Sequence, residues 1–565
     1  MNIKEIYLNK PWLKFYAEGV PNELDVPQKS VPELLDTVAK KYGSKAALIF
    51  YGKKITYRKL KEGIDRFAAA LHDIGIKKGN TVALYLLNCP QYVISYFAIL
   101  KIGATVTPVS PVYTSREVKH QLENSEAKAI ICEDILYDNV EMTGIELDNV
   151  VLCNIKDYLP VFKKLFGKNN AGNTYKKKMN SSKSSSIYFF KDLIKKYLPA
   201  APDILIDPKK DIAALSYTGG TTGLPKAAVL THYNMVSLQA QALAPYPFIE
   251  EGKEVIIAFL PFSNIYGQVV LMLSGLATGA TIVLFTTPDF HKIIAATDRY
   301  KGTVFYGVPA LFEYLKGYDK TTRVNWQNLK IIVSGADTLH ESTVKEWERR
   351  TGTRILEGYG MTETTSVSHI TPHNRPKTGT FGVPIPNVNA AIIDSDGSDF
   401  MPVGEVGELI LQGPNIMQGY WKRPDDNKRA FVDIDGEKWF RTGDLVCMDD
   451  EGYFYFIDRK RDLIKHKGYS VFARHVEEVL CKHPKIKSAG VVGIPDPKVG
   501  NQIKAYVVLH SEARGRITTE EITAFCKKNM AHYKIPDIIE FRGELPKTDM
   551  GKVSRRELRD ESEVM

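Results

Sequence analysis

A chain of 565 residues exceeds what one hydrophobic core organises, so a large domain with at least one smaller companion is expected. With 44% hydrophobic and 25% charged residues, the composition is that of an ordinary globular protein and excludes a fibrous or wholly disordered one. The net charge of +9 is local, because residues 163–196 hold ten lysines and one acid. The remainder is close to neutral, which argues against a nucleic-acid-binding protein.

In chain order, helical patterns are expected over 31–42 and 57–74, and extended ones over 46–51 and 81–86. This alternation predicts an α/β fold of layered, largely parallel sheets. A basic insert, 160–200, follows, and its polar run NSSKSSS reads as a loop. Phe162, Phe166, Tyr175, Phe189 and Phe190 interleave with its lysines. The insert therefore suits either bulk solvent or peripheral contact with anionic lipid, where each lysine contributes ~1 kcal/mol. Strand–loop–helix alternation resumes near 211 and runs to about 384. Within it, 255–288 contains no charged side chain, yet Pro261, Asn264, Gln268 and Gly279 interrupt it. A buried helix at 265–277 followed by a buried strand at 280–285 explains this better than a membrane span.

Closely spaced strands are expected at 390–393, 407–411 and 452–457, giving the large domain a β-rich subdomain. A charged hinge is expected at 458–462 (DRKRD). Beyond it lies a small α+β unit: a hairpin over 462–472, a helix to 483, two strands, and a helix at 518–530 opened by a Thr518/Glu521 capping box. The expected division is 1–457, hinge 458–462, and a mobile lid domain 463–565. The six cysteines have no metal-ligand spacing and read as reduced thiols of a cytoplasmic protein; no signal peptide opens the chain.

The sharpest chemical signal is LSYTGGTTGLPKAAV, 215–229. Thr218, Gly219, Gly220, Thr221, Thr222 and Gly223 offer hydroxyls and backbone amides that approach phosphate oxygens closely, and Lys226 adds positive charge. It is not a Walker A loop, since Pro225 precedes the lysine and no Ser or Thr follows it. In EGYGMTET, 357–364, the Gly-flanked Tyr359 offers a stacking face to a purine. Thr362 offers a donor to phosphate, and Glu363 a carboxylate to Mg²⁺. Asp444 in FRTGDL suits two ribose hydroxyls, and Lys552 in PKTDMGKVSRREL stands on a loop after Gly551. Each motif alone reads equally well as a turn glutamate, a surface aspartate or a solvated lysine.

Together and in this order, with GELILQGPNIMQGYW and DRKRDLIKHKGYSVF between them, the motifs resemble the adenylate-forming superfamily of acyl-CoA synthetases, firefly luciferase and peptide-synthetase adenylation domains. The likeness spans nearly the whole chain. KPWLKFYAEGVP and the insert beginning DYLPVF look like long- or medium-chain fatty-acid–CoA ligases. The resemblance implies a ligase whose small-molecule substrates are a carboxylic acid, ATP and coenzyme A, with Mg²⁺ held at Glu363. It implies catalytic roles for Lys552, Thr362, Glu363 and Lys226. Nucleotide binding would fall to the 218–223 loop, Gly335, Ala336, Glu357, Gly358, Tyr359, Gly360, Met361, Asp444 and Arg459. Asn264, Tyr266, Gly267 and Gln268 would form the acyl pocket, with Arg461 as the hinge. Lys465, Lys467, Gly468 and Tyr469 would meet CoA in a second domain arrangement. A ligase for a short, hydroxylated or aryl acid is the alternative, and an inactive nucleotide-binding scaffold the distant one. The oligomeric state stays open, a homodimer included. Three departures from the family pattern stand out: Ala227 for glycine, Ser263 and Asn264 for an aromatic and a histidine, and Ala473 and His475 for proline and glutamate.

Overall fold

The computed structural model describes residues 3–160, 186–218, 225–547 and 553–563. Most of the basic insert, including NSSKSSS up to residue 185, lies outside the described residues; its end forms strand Ser186–Phe189 and helix Phe190–Lys196. Two largely parallel sheets make most of the large domain. In one, strands Leu356–Tyr359, Ile331–Ser334, Val304–Gly307, Val255–Ala258, Thr281–Leu284 and Ala46–Phe50 run parallel, with antiparallel strands at both edges. In the other, Ser186–Phe189, Asn149–Cys153, Ala127–Glu133, Thr81–Tyr85, Thr105–Pro108 and Ile212–Tyr217 are parallel, and antiparallel Ala227–Thr231 closes the edge. Such strands are apolar throughout because both faces are covered. Helix Pro90–Lys101 is buried along nearly its whole length. Hydrogen bonds from this region fix the segment that follows strand Val255–Ala258: Tyr92 donates to the Phe262 carbonyl (2.7 Å), Asn88 to that of Leu260 (2.8 Å).

The uncharged stretch resolves as expected into buried elements, strands Val255–Ala258 and Thr281–Leu284 flanking a helix. Among the described residues no helix is long and apolar enough to cross a membrane. The helix itself is a π-helix, Tyr266–Leu273, continued by the α-turn Ser274–Ala277. Asn264 caps its start by accepting from the Tyr266 amide (2.9 Å), a local use for one of the departures noted above. At its far end the Ser274 hydroxyl donates to the Val269 carbonyl (2.9 Å). Wide turns of this kind are rare and occur mostly at functional sites. Gly267 is required here, since a Cβ would overlap the Pro261 carbonyl oxygen.

A third, antiparallel sheet of Asn389–Ile393, Gly407–Gln412, Glu437–Met448, Phe431–Ile434 and Phe454–Arg459 sets Asp444 opposite Arg459. The expected hinge is partly ordered: the last strand continues through Arg459, and a 3-10 turn, Lys460–Asp462, follows. The small domain has a separate core including Ile464, Val471, Leu480, Val491, Ile503 and Ile522. Its first hairpin, Leu463–His466 with Tyr469–Phe472, turns on Lys467 and Gly468, both at positive φ. Strand Ile538–Arg542 and helix Arg555–Glu563, not anticipated from the sequence, complete it.

Gly267→Ala is expected to lower the thermal midpoint by several degrees, because overpacking against backbone typically costs about 1–3 kcal/mol. A melt indistinguishable from wild type would contradict the close approach.

Candidate active site

The carboxyl ends of parallel strands from both sheets open onto one cleft of about 2060 Å³, the usual ligand position in an open α/β fold. The cleft brings together Thr218, Gly335, Ala336, Glu357, Gly358, Tyr359, Gly360, Met361, Thr362, Glu363, Asp444, Arg459 and Arg461, with Asn264 and Tyr266 on the same wall. Gly267 and Gln268 do not line it. The π-helix carries Gly267 against the Pro261 carbonyl and turns Gln268 fully into the protein. Gly219, Gly220, Thr221, Thr222, Gly223 and Lys552 lie outside the described residues. Lys465, Lys467, Gly468 and Tyr469 are exposed on a hairpin that does not line the cleft, and Tyr469 stacks on Tyr533 at 4.4 Å between centroids.

The Tyr359–Ser366 turn is tight. The Ser366 amide donates to the Met361 carbonyl (3.1 Å), and the Met361 amide to the Thr364 hydroxyl (3.0 Å). Thr365 and Ser366 take φ values of 55° and 120°, while a Cβ on Gly360 would overlap the Ser366 carbonyl oxygen. Ala336, also in the cleft, has φ 70°. Left-handed backbone at non-glycine residues costs about 1–3 kcal/mol each and clusters where function over-determines geometry.

On this turn the half-buried Glu363 accepts from the Tyr420 hydroxyl at Oε1 (2.7 Å). Desolvation raises its pKa, and the Tyr420 hydrogen bond partly offsets that. A carboxylate in this position suits a hard cation. No group of three or more His, Cys, Asp or Glu among the described residues could hold a metal alone. A magnesium ion would therefore have to share nucleotide oxygens, which is how this cation is usually held.

Asp444 is buried; its Oδ2 accepts from the Tyr359 hydroxyl (2.7 Å) and its Oδ1 lies 3.4 Å from Arg459 Nε. Burial, then the adjacent Asp444 charge, pushes the Tyr359 pKa far up, so its hydroxyl stays protonated and can donate to Asp444. The Tyr359 ring leans on Phe381 at 4.4 Å, leaving an aromatic shelf at the cleft. Glu357 is buried nearby, and desolvation pushes its carboxyl up to about 7 against one hydrogen bond from the Leu339 amide (3.2 Å).

The glycine- and threonine-rich segment joins two antiparallel strands, its base closed by the Thr218 amide donating to the Lys226 carbonyl (2.9 Å). This differs from the strand–loop–helix reading: helix His232–Leu243 begins only after the second strand, capped by Thr231. Lys226 Nζ lies 2.7 Å from Asp426 Oδ1 and 5.1 Å from the Tyr420 ring centroid. Tyr420 and Asp426 escaped the sequence reading; the only signal for the tyrosine was its place in the QGYW motif.

The small domain presents residues 553–557, Arg559 and Asp560 to the cleft. Arg555 is held by Asp458 (2.8 Å), Asp462 (3.1 Å) and Glu477 (2.6 Å). Asp458, fully buried, also accepts from the Arg474 amide at the start of helix Ala473–Cys481 (2.9 Å).

A strained acid-bearing turn and a carboxylate beside an aromatic shelf, sharing one cleft with Thr218 and with residues of the small domain, fit an adenylate-forming enzyme. Residues 35–421 match the model of the AMP-binding enzyme family, and residues 475–552 that of the AMP-binding enzyme C-terminal domain. The chain is 36% identical to a long-chain-fatty-acid–CoA ligase of Bacillus subtilis and 35% identical to one of Yersinia pestis, covering 98% of each chain in both comparisons. ATP-bound MatB from Rhodopseudomonas palustris superposes with a TM-score of 0.81 at 25% identity, over 94% of this chain and 99% of that one. The chain belongs to the AMP-binding enzyme family, and within it is an acid–thiol ligase.

The Glu357 shift has a sign that can be measured. Its raised folded-state pKa favours folding below about 4.5, and that contribution fades as pH climbs towards 7. Glu357→Gln should therefore melt higher than wild type by a margin that widens between pH 5 and 8. A margin constant with pH would refute the shift.

Proposed function

We propose that this protein activates a medium- or long-chain fatty acid with ATP and transfers the acyl group to coenzyme A. Two sets of observations support the reading: full-length relatedness to long-chain ligases, and the single cleft shared by Thr218, Glu363, Asp444 and Arg459. Tyr246, Phe259, Val270 and Tyr306 give that cleft an apolar wall suited to an alkyl chain.

In the first half-reaction a carboxylate oxygen attacks the α-phosphorus of ATP in line, and pyrophosphate leaves. The difficulty is electrostatic, since an anion must approach a polyanion. Lys226 and the adjoining loop meet the leaving phosphates, and Lys552 meets the carboxylate and α-phosphate. Thr362 donates to phosphate oxygen, while Tyr359, Asp444 and Arg459 hold the adenosine, with Gly335 and Ala336 allowing close approach. Glu363 would hold a magnesium ion, which would supply further charge neutralisation at the phosphates. In the second half-reaction the CoA thiol attacks the acyl carbonyl, and AMP leaves with the bonding pair.

One site performs both steps if the 463–565 domain turns about 458–462, with Arg461 as pivot, against 1–457. That turn would exchange the face around Lys552 for the hairpin bearing Lys465, Lys467, Gly468 and Tyr469. Supporting this, residues 553–557 line the cleft in the present arrangement while the hairpin stands apart, as adenylate formation requires. The reading includes a cytoplasmic setting, with the lysine-rich insert meeting anionic lipid peripherally; its charge is the support for that contact.

Two outcomes are expected. With ATP and CoA, a panel of acids should show turnover strongest on medium and long chains; preference for acetate or an aryl acid would sink the fatty-acid assignment. Lys552→Ala should slow adenylate formation by about 10²–10³ while sparing thioester formation from preformed acyl-adenylate. Equal loss of both half-reactions would refute the two-arrangement scheme.

A further inference from the structure

The ion pair between Lys226 and Asp426 has no part in the reaction as described, yet its surroundings are fixed. Asp426 stands in the first turn of the short helix Pro424–Ala430 and is mostly shielded from solvent. The Asn427 side chain ties that helix to the preceding segment, accepting from the Tyr420 amide (2.6 Å) and donating to the Tyr420 carbonyl (3.0 Å). The segment in turn pairs with the strand that carries the lysine. The Gln418 amide donates to the Val229 carbonyl (3.0 Å), the Val229 amide to that of Gly419 (2.9 Å), and the Trp421 amide to that of Ala227 (2.8 Å). The carboxylate is thereby anchored, whereas the lysine ends a flexible four-carbon stem. Phosphate is the stronger competitor for an ammonium, because it offers more charge and more acceptor oxygens than a carboxylate. Arg429, 2.9 Å from the same Asp426 oxygen, keeps a cation beside the carboxylate when the lysine leaves.

Resting on the adenylate-forming reading, we infer that Asp426 is a positioning residue that occupies Lys226 in a phosphate's place and takes it back when pyrophosphate departs. Two consequences follow. Lys226 is not left uncompensated between turnovers, and pyrophosphate is held less tightly than a free lysine would hold it. The Tyr420 ring gives the ammonium a surface between its two partners, at a separation compatible with a cation–π contact.

The test is calorimetric binding of inorganic pyrophosphate to the full-length protein in EDTA, so that the readout is neither turnover nor the metal. Asp426→Asn, which keeps size and an acceptor but removes charge, should tighten binding about 3–10-fold, and Asp426→Ser should do the same. In a Lys226→Gln background the effect of Asp426→Asn should fall to half or less, since only its direct repulsion of the anion remains. Unchanged or weaker binding in both variants, or an equal shift in the two backgrounds, overturns the inference. Acid-dependent pyrophosphate exchange by the wild type runs alongside. Its absence together with the binding shift would overturn acid activation and leave the role of Asp426 standing.

Discussion

Three cations at or beside the cleft are held by carboxylates on ordered backbone. Lys226 has Asp426, Arg459 has Asp444, and Arg555 has Asp458, Asp462 and Glu477. The constraint is physical: a partly desolvated charge without a partner costs several kcal/mol, and a cleft lined by bare cations would destabilise the folded protein it serves. The acids sit on the stiffest local structure available, with Asp444 in a strand and Asp458 one residue from a strand's end. Substrate binding at such a site is an exchange of partners rather than an addition of charge.

The same logic reaches the boundary between the domains. Asp458 belongs by strand to the large domain, yet it accepts from the first turn of helix Ala473–Cys481 and from Arg555 near the chain's end. Arg461 lies three residues on, where desolvation and the neighbouring Arg459 lower its pKa to about 10. A junction beside crowded cations and a buried acid is not a slack linker. Any rotation there must break a defined set of hydrogen-bonded ion pairs, which favours discrete domain arrangements over a continuum.

What the sequence disclosed is what is local. The helix at Val31–Lys41, the strand Thr281–Leu284 in the uncharged stretch and the capping box at Thr518 are set by residues within a few positions of one another. Motif residues were legible for the same reason, since glycines, threonines and acids with chemical purpose stand together in short runs. Partnerships were not. Asp426 is 200 positions from Lys226, and Tyr420 is 57 from Glu363. Gly267 and Gln268, assigned to the acyl pocket by resemblance, sit on a π-helix and do not line the cleft. The closing strand Ile538–Arg542 has an exposed or half-exposed pattern that gives little apolar alternation to find.

The strained turn at Glu363 and the lysine after the phosphate segment are not independent features. Asn415 holds the turn by donating to the Thr364 carbonyl (3.0 Å) and accepting at its own carbonyl from the Thr365 hydroxyl (2.6 Å). Two residues on, the Met417 amide donates to the Glu363 carbonyl (2.9 Å). The chain then runs directly into the pairing with strand Ala227–Thr231, and so into contact with Lys226. Residues 415–427 are thus one splint bearing on both charges. The Glu363 and Lys226 side chains keep their separation because a single stretch of backbone fixes both. A change in that stretch would disturb both ends together, even though its residues other than Tyr420 stand outside the cleft lining.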